Sequence, residues 1–507
     1  MTSAPSQGPP PPSRSGTGQE LRELLQLPLV RSFAFTALMA TVGALCFITK
    51  YGVSDLDIWW HLKVGDWIVE RRAVPHTGIF SQTAGNHPWT AYSWGYEVLL
   101  SRAYAWFGLL GVELFGVALT LAVAGVLFWM LHRLSHRFWV AWTVCTVACS
   151  AFLFNLMPRP VFFSMVLFVI TLTLILEAQR SGRLHLLYWL PPIFFLWANL
   201  HIQFIYGLFL AGLLLGVNLL LKLGGFLGVD SSFFVEAKLP ILGLAGIFIV
   251  CLLATGLGPY GFHLYQVVFE YSRARVPYTM IIELQALAFN SFTHYVELLL
   301  AAAAFFAVGW QKKLDLFKLL LLMVAAIVAF RTIRDGWFIC ISAAVCIADC
   351  PAEEAKSPTS RRAVEFAGVT ILLALVLVLV ARNADFSSRG LNRAISSQFP
   401  VDAANFLRRQ PMPGPLYNSF DWGGFLIWYM PQYPVAIDGR NDLYGDELDA
   451  RFYKTESADA SYKEDPFLNQ AGVVLLKQNV PLAGMLALDS RFRLIYRDKI
   501  AVIFVRQ

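Results

Sequence analysis

Charge is scarce in this 507-residue chain: Asp, Glu, Lys and Arg together make up only 15% of it, while 57% is hydrophobic. Soluble globular chains carry about 25% charged residues, so the deficit excludes a freely soluble enzyme. The apolar content likewise excludes disorder over most of the length. Cysteine is sparse as well. The seven residues Cys46, Cys145, Cys149, Cys251, Cys340, Cys346 and Cys350 lie in or beside apolar runs. No CxxC pair and no Cys/His zinc spacing occurs, which excludes a disulfide framework and a structural zinc site and leaves buried thiols as the expectation. Basic clusters interleaved with aromatics are also missing, so no nucleic-acid partner is expected. The first 20 residues lack an apolar h-region and are rich in Pro, Ser and Gly. They are expected to form part of a disordered cytoplasmic lead (1–30) and not a cleaved signal.

Long apolar runs are abundant. Runs of near-spanning length fall at 32–50, 109–131, 138–157, 161–178, 185–199, 202–221, 239–257, 293–310, 314–330, 336–349 and 364–381. They predict about eleven membrane helices in a domain covering 31–382. With the N-terminus inside, the cytoplasmic segments hold 15 of the 26 Lys/Arg that precede residue 383. The other 11 are spread over longer outward loops, so the positive-inside rule favours this orientation. An odd number of spans then places the tail outside an inner (cytoplasmic) membrane.

That tail, 383–507, carries 14 acidic and 14 basic residues and alternates strand and helix patterns. A helix is expected from Val401 to Arg409, with strands at 415–419, 434–440 and 472–478 and a closing hairpin. A small extracytoplasmic α/β domain follows from this pattern. Two outward segments are too long to be mere connectors. In 51–108, Ile58, Trp59, Leu62, Trp67, Ile68 and Val69 form an apolar stripe that suits an interfacial helix in the headgroup region. A second interfacial helix is expected in 258–292.

The predicted topology brings Asp55, Asp57, His61, Arg159, His201, Glu283, Arg331 and Arg334 to the outer face. Ionisable groups at that depth are costly and usually line a cavity or pair with each other. Arginines together with acids and histidines point to a phosphate-bearing ligand. Asp55-Leu56-Asp57 can supply a general base or hold a divalent ion such as Mg or Mn, and one of the pair can equally serve as a helix N-cap. His201 with Asn199 either contacts substrate or forms a polar cap. Asp438-Gly439-Arg440 is expected to be a strand-end turn with an internal ion pair.

Three stretches carry a family resemblance: SDLDIWWHLKVGDWIVERRAVPHTGIFSQT, WANLHIQFIYGLF and FDWGGFLIWYMP…VAIDGRNDLYG. With the acidic first outward loop and the outward tail, they resemble a bacterial branch of the GT-C membrane glycosyltransferases. That class includes the protein O-mannosyltransferases and the lipid A aminoarabinose transferases. The resemblance implies inverting transfer of a sugar from a polyprenyl-phosphate donor to a lipid, glycan or protein acceptor at the outer face. It makes Asp55 or Asp57 the base, with His61 able to share the role, and gives Arg159, Arg331 and Arg334 the leaving phosphate. The chain has Asp-Leu-Asp where the mannosyltransferases have Asp-Glu, so both the choice of base and any role for a metal stay open. The alternative is a non-catalytic scaffold for envelope polysaccharide synthesis built on the same fold.

Overall fold

The computed structural model describes residues 25–153, 157, 159–228, 232–273, 275–350 and 387–507, with a few positions between 371 and 385. The lead before residue 25, the loop 351–363 and most of the expected span 364–381 lie outside the described residues. Helices stand at the other ten expected spans. Five of them are long and apolar enough to cross a membrane: Pro28–Cys46, Leu109–Ser135, Val161–Ser181, Phe204–Phe226 and Phe292–Gly309. The chain is a multi-pass, mainly helical membrane protein with a small C-terminal sheet.

The remaining apolar helices are shorter, so not every expected crossing is carried by a helix of spanning length. Gly336–Ala348 has 13 residues, about 20 Å at 1.5 Å per residue. Twelve of those residues are buried. This helix packs against Leu109–Ser135, Phe138–Phe152, Phe292–Gly309 and Leu316–Arg331. A helix that is apolar on every side is stable at that depth because protein surrounds it.

The first outward loop holds two helices, α1 (Ile58–Arg71) and α2 (Trp94–Phe107). They approach closely at Gly65, where a Cβ would stand 2.0 Å from the Glu97 carbonyl oxygen. Only glycine permits that contact. The expected interfacial stripe on α1 is covered by protein and does not face headgroups. Ile58, Trp59, Leu62 and Ile68 are buried, and Trp67 and Val69 are half-buried. Trp59 is enclosed by Phe399, Phe425 and Trp428, with ring centroids 4.5–5.7 Å away. The aromatic residues that cover this stripe lie more than 300 positions further along the chain, where helical periodicity cannot reveal them. In the second outward segment, a helix over His263–Arg273 likewise buries Leu264 and Val267.

The C-terminal sheet has strands β1 (Leu416–Asn418), β2 (Val473–Lys477), β3 (Phe492–Arg497) and β4 (Ala501–Arg506) in the order β1-β2-β4-β3. The pair β1–β2 is parallel, and β3–β4 is the expected antiparallel hairpin. Residues 434–440 form no strand, contrary to the sequence pattern. Val435 makes a single bridge to Ser81 of the first loop. Its neighbours are tied to that loop as well: Thr83 donates to the Ala436 carbonyl, and Arg440 donates to the Ile79 carbonyl at 2.9 Å. The apolar run 435–437 is therefore buried against a loop and not within the sheet.

Candidate active site

Between the loop 51–108, one end of the membrane helices and the C-terminal segment lies a cavity of about 950 Å³. Six of the nine expected site residues line it: Asp57, His61, Arg159, His201, Glu283 and Arg334. Arg159 stands just before the helix Val161–Ser181, and Arg334 sits in the short turn before Gly336. Sequence-distant elements thus meet at one end of the bundle.

Arg159 organises the charge. Its guanidinium grips Asp55 in a two-pronged pair at 2.8 and 2.8 Å. It also reaches Asp57 Oδ2 at 3.1 Å and Glu283 Oε1 at 3.0 Å. Glu283 is shared with Arg334, which in turn donates to the Tyr271 hydroxyl at 3.0 Å. Burial alone would raise the Glu283 carboxyl, but Arg334 and Arg159 outweigh it and hold the group at about 2. Asp57 behaves oppositely. Burial pushes it up to about 6 against the pull of Arg159. Its Oδ1 accepts from Trp60 Nε1 at 3.1 Å.

Asp55 stands behind Asp57. It is 2% exposed, does not line the cavity, and has both oxygens taken by Arg159. Asp57 fills the N-cap position of α1, but its side chain makes no capping bond. Of the two acids between which the sequence left the choice open, Asp57 is the one that faces the cavity.

His61 Nδ1 lies 3.1 Å from Glu97 Oε1. Burial lowers the imidazole well below its usual range and raises Glu97 well above its own. Both shifts favour the uncharged forms, so the contact has the character of a hydrogen bond more than of an ion pair. His201 is also held neutral, at about 3, by burial and by Arg334. Its Nδ1 meets the Ser164 hydroxyl at 2.8 Å.

Two expected residues do not reach the site. Asn199 accepts from Trp94 Nε1 at 3.1 Å and donates to the Phe195 carbonyl at 2.8 Å. It fastens α2 to its own helix and is absent from the cavity wall. Arg331 is exposed, with its guanidinium 5.7 Å from the Tyr278 ring centroid. The one extended residue Thr332 and the turn after it rotate Arg334 inward and leave Arg331 outside. Asp335 bonds to Thr332 and Gln203 at 2.7 and 3.0 Å.

The residues present do not suit a divalent ion. The Arg159 guanidinium already stands between Asp55, Asp57 and Glu283. Among the described residues, no group of three or more His, Cys, Asp or Glu side chains is arranged to hold a metal.

The C-terminal segment contributes a wall that the sequence reading missed. Gly439 sits so close to Asp57 that a Cβ there would be 2.0 Å from its Oδ1. The flanking Asp438 and Arg440 form the expected internal ion pair, at 2.7 Å and fully buried. Segment α3 (Asn441–Glu456), helical on both sides of a kink at Gly445 (φ 69°), brings Asp442, Asp449, Phe452, Tyr453 and Glu456 to the cavity. Beyond the kink, Asp449 and Glu456 share one helical face through their seven-residue spacing, which was visible in the sequence. Another flank is apolar, with Ile205, Val268, Val276, Met280 and Ile282.

No protein-family model and no curated protein sequence matches the chain. Solved structures do. An oligosaccharyltransferase from Archaeoglobus fulgidus, tethered with an acceptor peptide, matches at a TM-score of 0.50 and 12% identity, over 87% of this chain and 69% of its own. The chain has the GT-C fold. ArnT from Cupriavidus metallidurans, bound to undecaprenyl phosphate, matches at a TM-score of 0.45 and 12% identity, over 93% of this chain and 97% of its own. In this GT-C fold the cavity lies where the first outward loop and the C-terminal segment meet the bundle.

Proposed function

We propose that the protein is a membrane glycosyltransferase that moves a sugar from a polyprenyl-phosphate donor to an acceptor hydroxyl or amide, with inversion, at the outer face of the inner membrane. The observation that carries this reading is the presence of Asp57 and Arg334 in one cavity of a GT-C fold, beside an apolar flank. Asp57 takes the acceptor proton. The freed electron pair attacks the anomeric carbon from the side opposite the phosphate. The bond from that carbon to the phosphate oxygen breaks, and its electrons leave with the phosphate. Fixed cations at the leaving oxygen lower the barrier because charge develops there. Glu283 already shows how they receive an anion, since its carboxylate bridges Arg159 and Arg334. The phosphate takes a place beside it, while the apolar flank carries the prenyl chain. His61 and His201 are neutral and serve as hydrogen-bonding walls.

The test is polyprenyl-phosphate binding to the purified full chain. Arg334→Gln should weaken binding about tenfold or more, as expected for a hydrogen bond to a charged group. Arg331→Gln should leave binding within twofold of the original. Equal affinities in both variants would remove the phosphate from this wall and with it the donor class.

A further inference from the structure

The C-terminal wall of the cavity has its own electrostatic character. Seven lining residues are acids: Asp57, Glu283, Asp335, Asp421, Asp442, Asp449 and Glu456. Three are cations, and each is already engaged. Arg159 and Arg334 hold the carboxylates described above, and Lys477 pairs with Asp421. The surplus of acids falls on α3. There Asp442 accepts from Trp89 Nε1 at 3.0 Å, and Glu456 accepts from the Ser419 hydroxyl. Asp449, between them, has nothing. It is 6% exposed, and neither carboxylate oxygen has a hydrogen-bond partner.

A buried carboxyl with both oxygens unsatisfied is costly. Burial, together with the neighbouring Asp446, Asp438 and Asp442, pushes Asp449 up to about 8. Nothing in its packing repays that cost. Tyr453 follows Asp449 at i+4 on the same helical face, lines the same cavity and is 56% exposed, whereas the buried Phe452 ring stacks with Tyr417 and Phe467. An acid beside an exposed aromatic ring is suited to a compact organic cation, through a charge-assisted hydrogen bond and cation–π contact. An anion is disfavoured by the surrounding carboxylates.

We propose that Asp449, with Tyr453, forms a subsite for a ligand ammonium group on the C-terminal wall of the cavity. Describing that ligand as the glycosyl acceptor rests on the glycosyltransferase reading, whereas the binding itself does not. Two sources present such a group at an outer membrane surface: an amino sugar and an ethanolamine headgroup.

The full chain in detergent can be titrated with D-glucosamine, D-glucose and ethanolamine, following tryptophan fluorescence, alongside Asp449→Asn. The original protein should bind glucosamine about tenfold or more tightly than glucose, and Asp449→Asn should erase that preference. Its melting temperature should equal or exceed the original, because an unsatisfied carboxyl is removed. Ethanolamine binding as well as glucosamine supports a headgroup amine, and silence from ethanolamine supports an amino sugar. Equal binding of glucose and glucosamine overturns the proposal, as does a preference that persists in Asp449→Asn. A lowered melting temperature overturns it too, by making Asp449 structural. Failure of polyprenyl-phosphate binding sinks the transferase reading separately, whatever the amine results.

Discussion

At the scale of single residues, the two acids of the first loop divide their work. Asp55 is spent on Arg159, so Asp55→Asn should cost about 1.5–3 kcal/mol of stability by weakening its bonds to that cation, which keeps Asp57 and Glu283. Thermal unfolding checks this, and an unchanged melting temperature would refute it. Asp57→Asn should instead leave a folded protein whose transfer rate falls about 10²–10⁴-fold, as loss of a positioned base does. A pH profile adds an independent reading. Asp57 is raised from 3.8 to about 6, so kcat/KM should climb with pH and level off above about 6. The linked stability runs the other way. The folded protein holds this proton more tightly than the unfolded chain, so stability from Asp57 falls as pH rises from about 4 to about 6. Asp442, also raised to about 6, adds to that slope without contributing to the rate. A rate that is flat between pH 5 and 7 would dismiss Asp57 as the base.

At the scale of elements, close backbone approaches set the site. Gly65 lets α1 settle on α2 and brings His61 to Glu97. Gly439 brings the C-terminal segment against Asp57. The Gly439→Ala methyl meets the Asp57 carboxylate and lies 3.6 Å from Trp60 Nε1, so the side chain of Asp57 must turn away. Activity should drop at least tenfold while the chain stays folded, because a misplacement of about 1 Å costs that much or more. Wild-type activity in this variant would show that the contact is incidental. The Asp438–Arg440 pair beneath it is fully buried and stacks on Trp89 at 4.8 Å. Asp438→Ala strands the arginine and should cost about 3–5 kcal/mol, measurable by thermal unfolding.

At the scale of the molecule, the C-terminal segment and the first outward loop close over one end of a helix bundle. Both must therefore face the same side of the membrane, and the Lys/Arg distribution predicts that this side is the outside. Alkaline phosphatase fused after Gln507 should be active, and a reporter that fluoresces only in the cytoplasm should stay dark. The reverse pattern would invert the topology and move the site to the cytoplasmic face. Because Trp59 is packed between Phe399 and Trp428, the C-terminal segment also completes the core of α1.

The sequence by itself determined the membrane class, the positions of the helices, the hairpin and the convergence of charged residues on one end. These follow from local hydrophobic periodicity and charge spacing, which act over a few turns of chain. Only the tertiary structure separated Asp55 from Asp57, because both satisfy the same local pattern and Arg159, more than 100 residues away, chooses between them. It likewise turned Arg334 inward and Arg331 outward, through a bend that residue type does not encode. The stripe on α1 looked fit for lipid because periodicity reports only that a face is apolar. What covers that face, here Phe399, Phe425 and Trp428, depends on contacts between distant segments. The pairing of Asp449 with Glu456 on one face was legible as spacing, but its place on the cavity wall was decided by the packing of the C-terminal segment on the first loop.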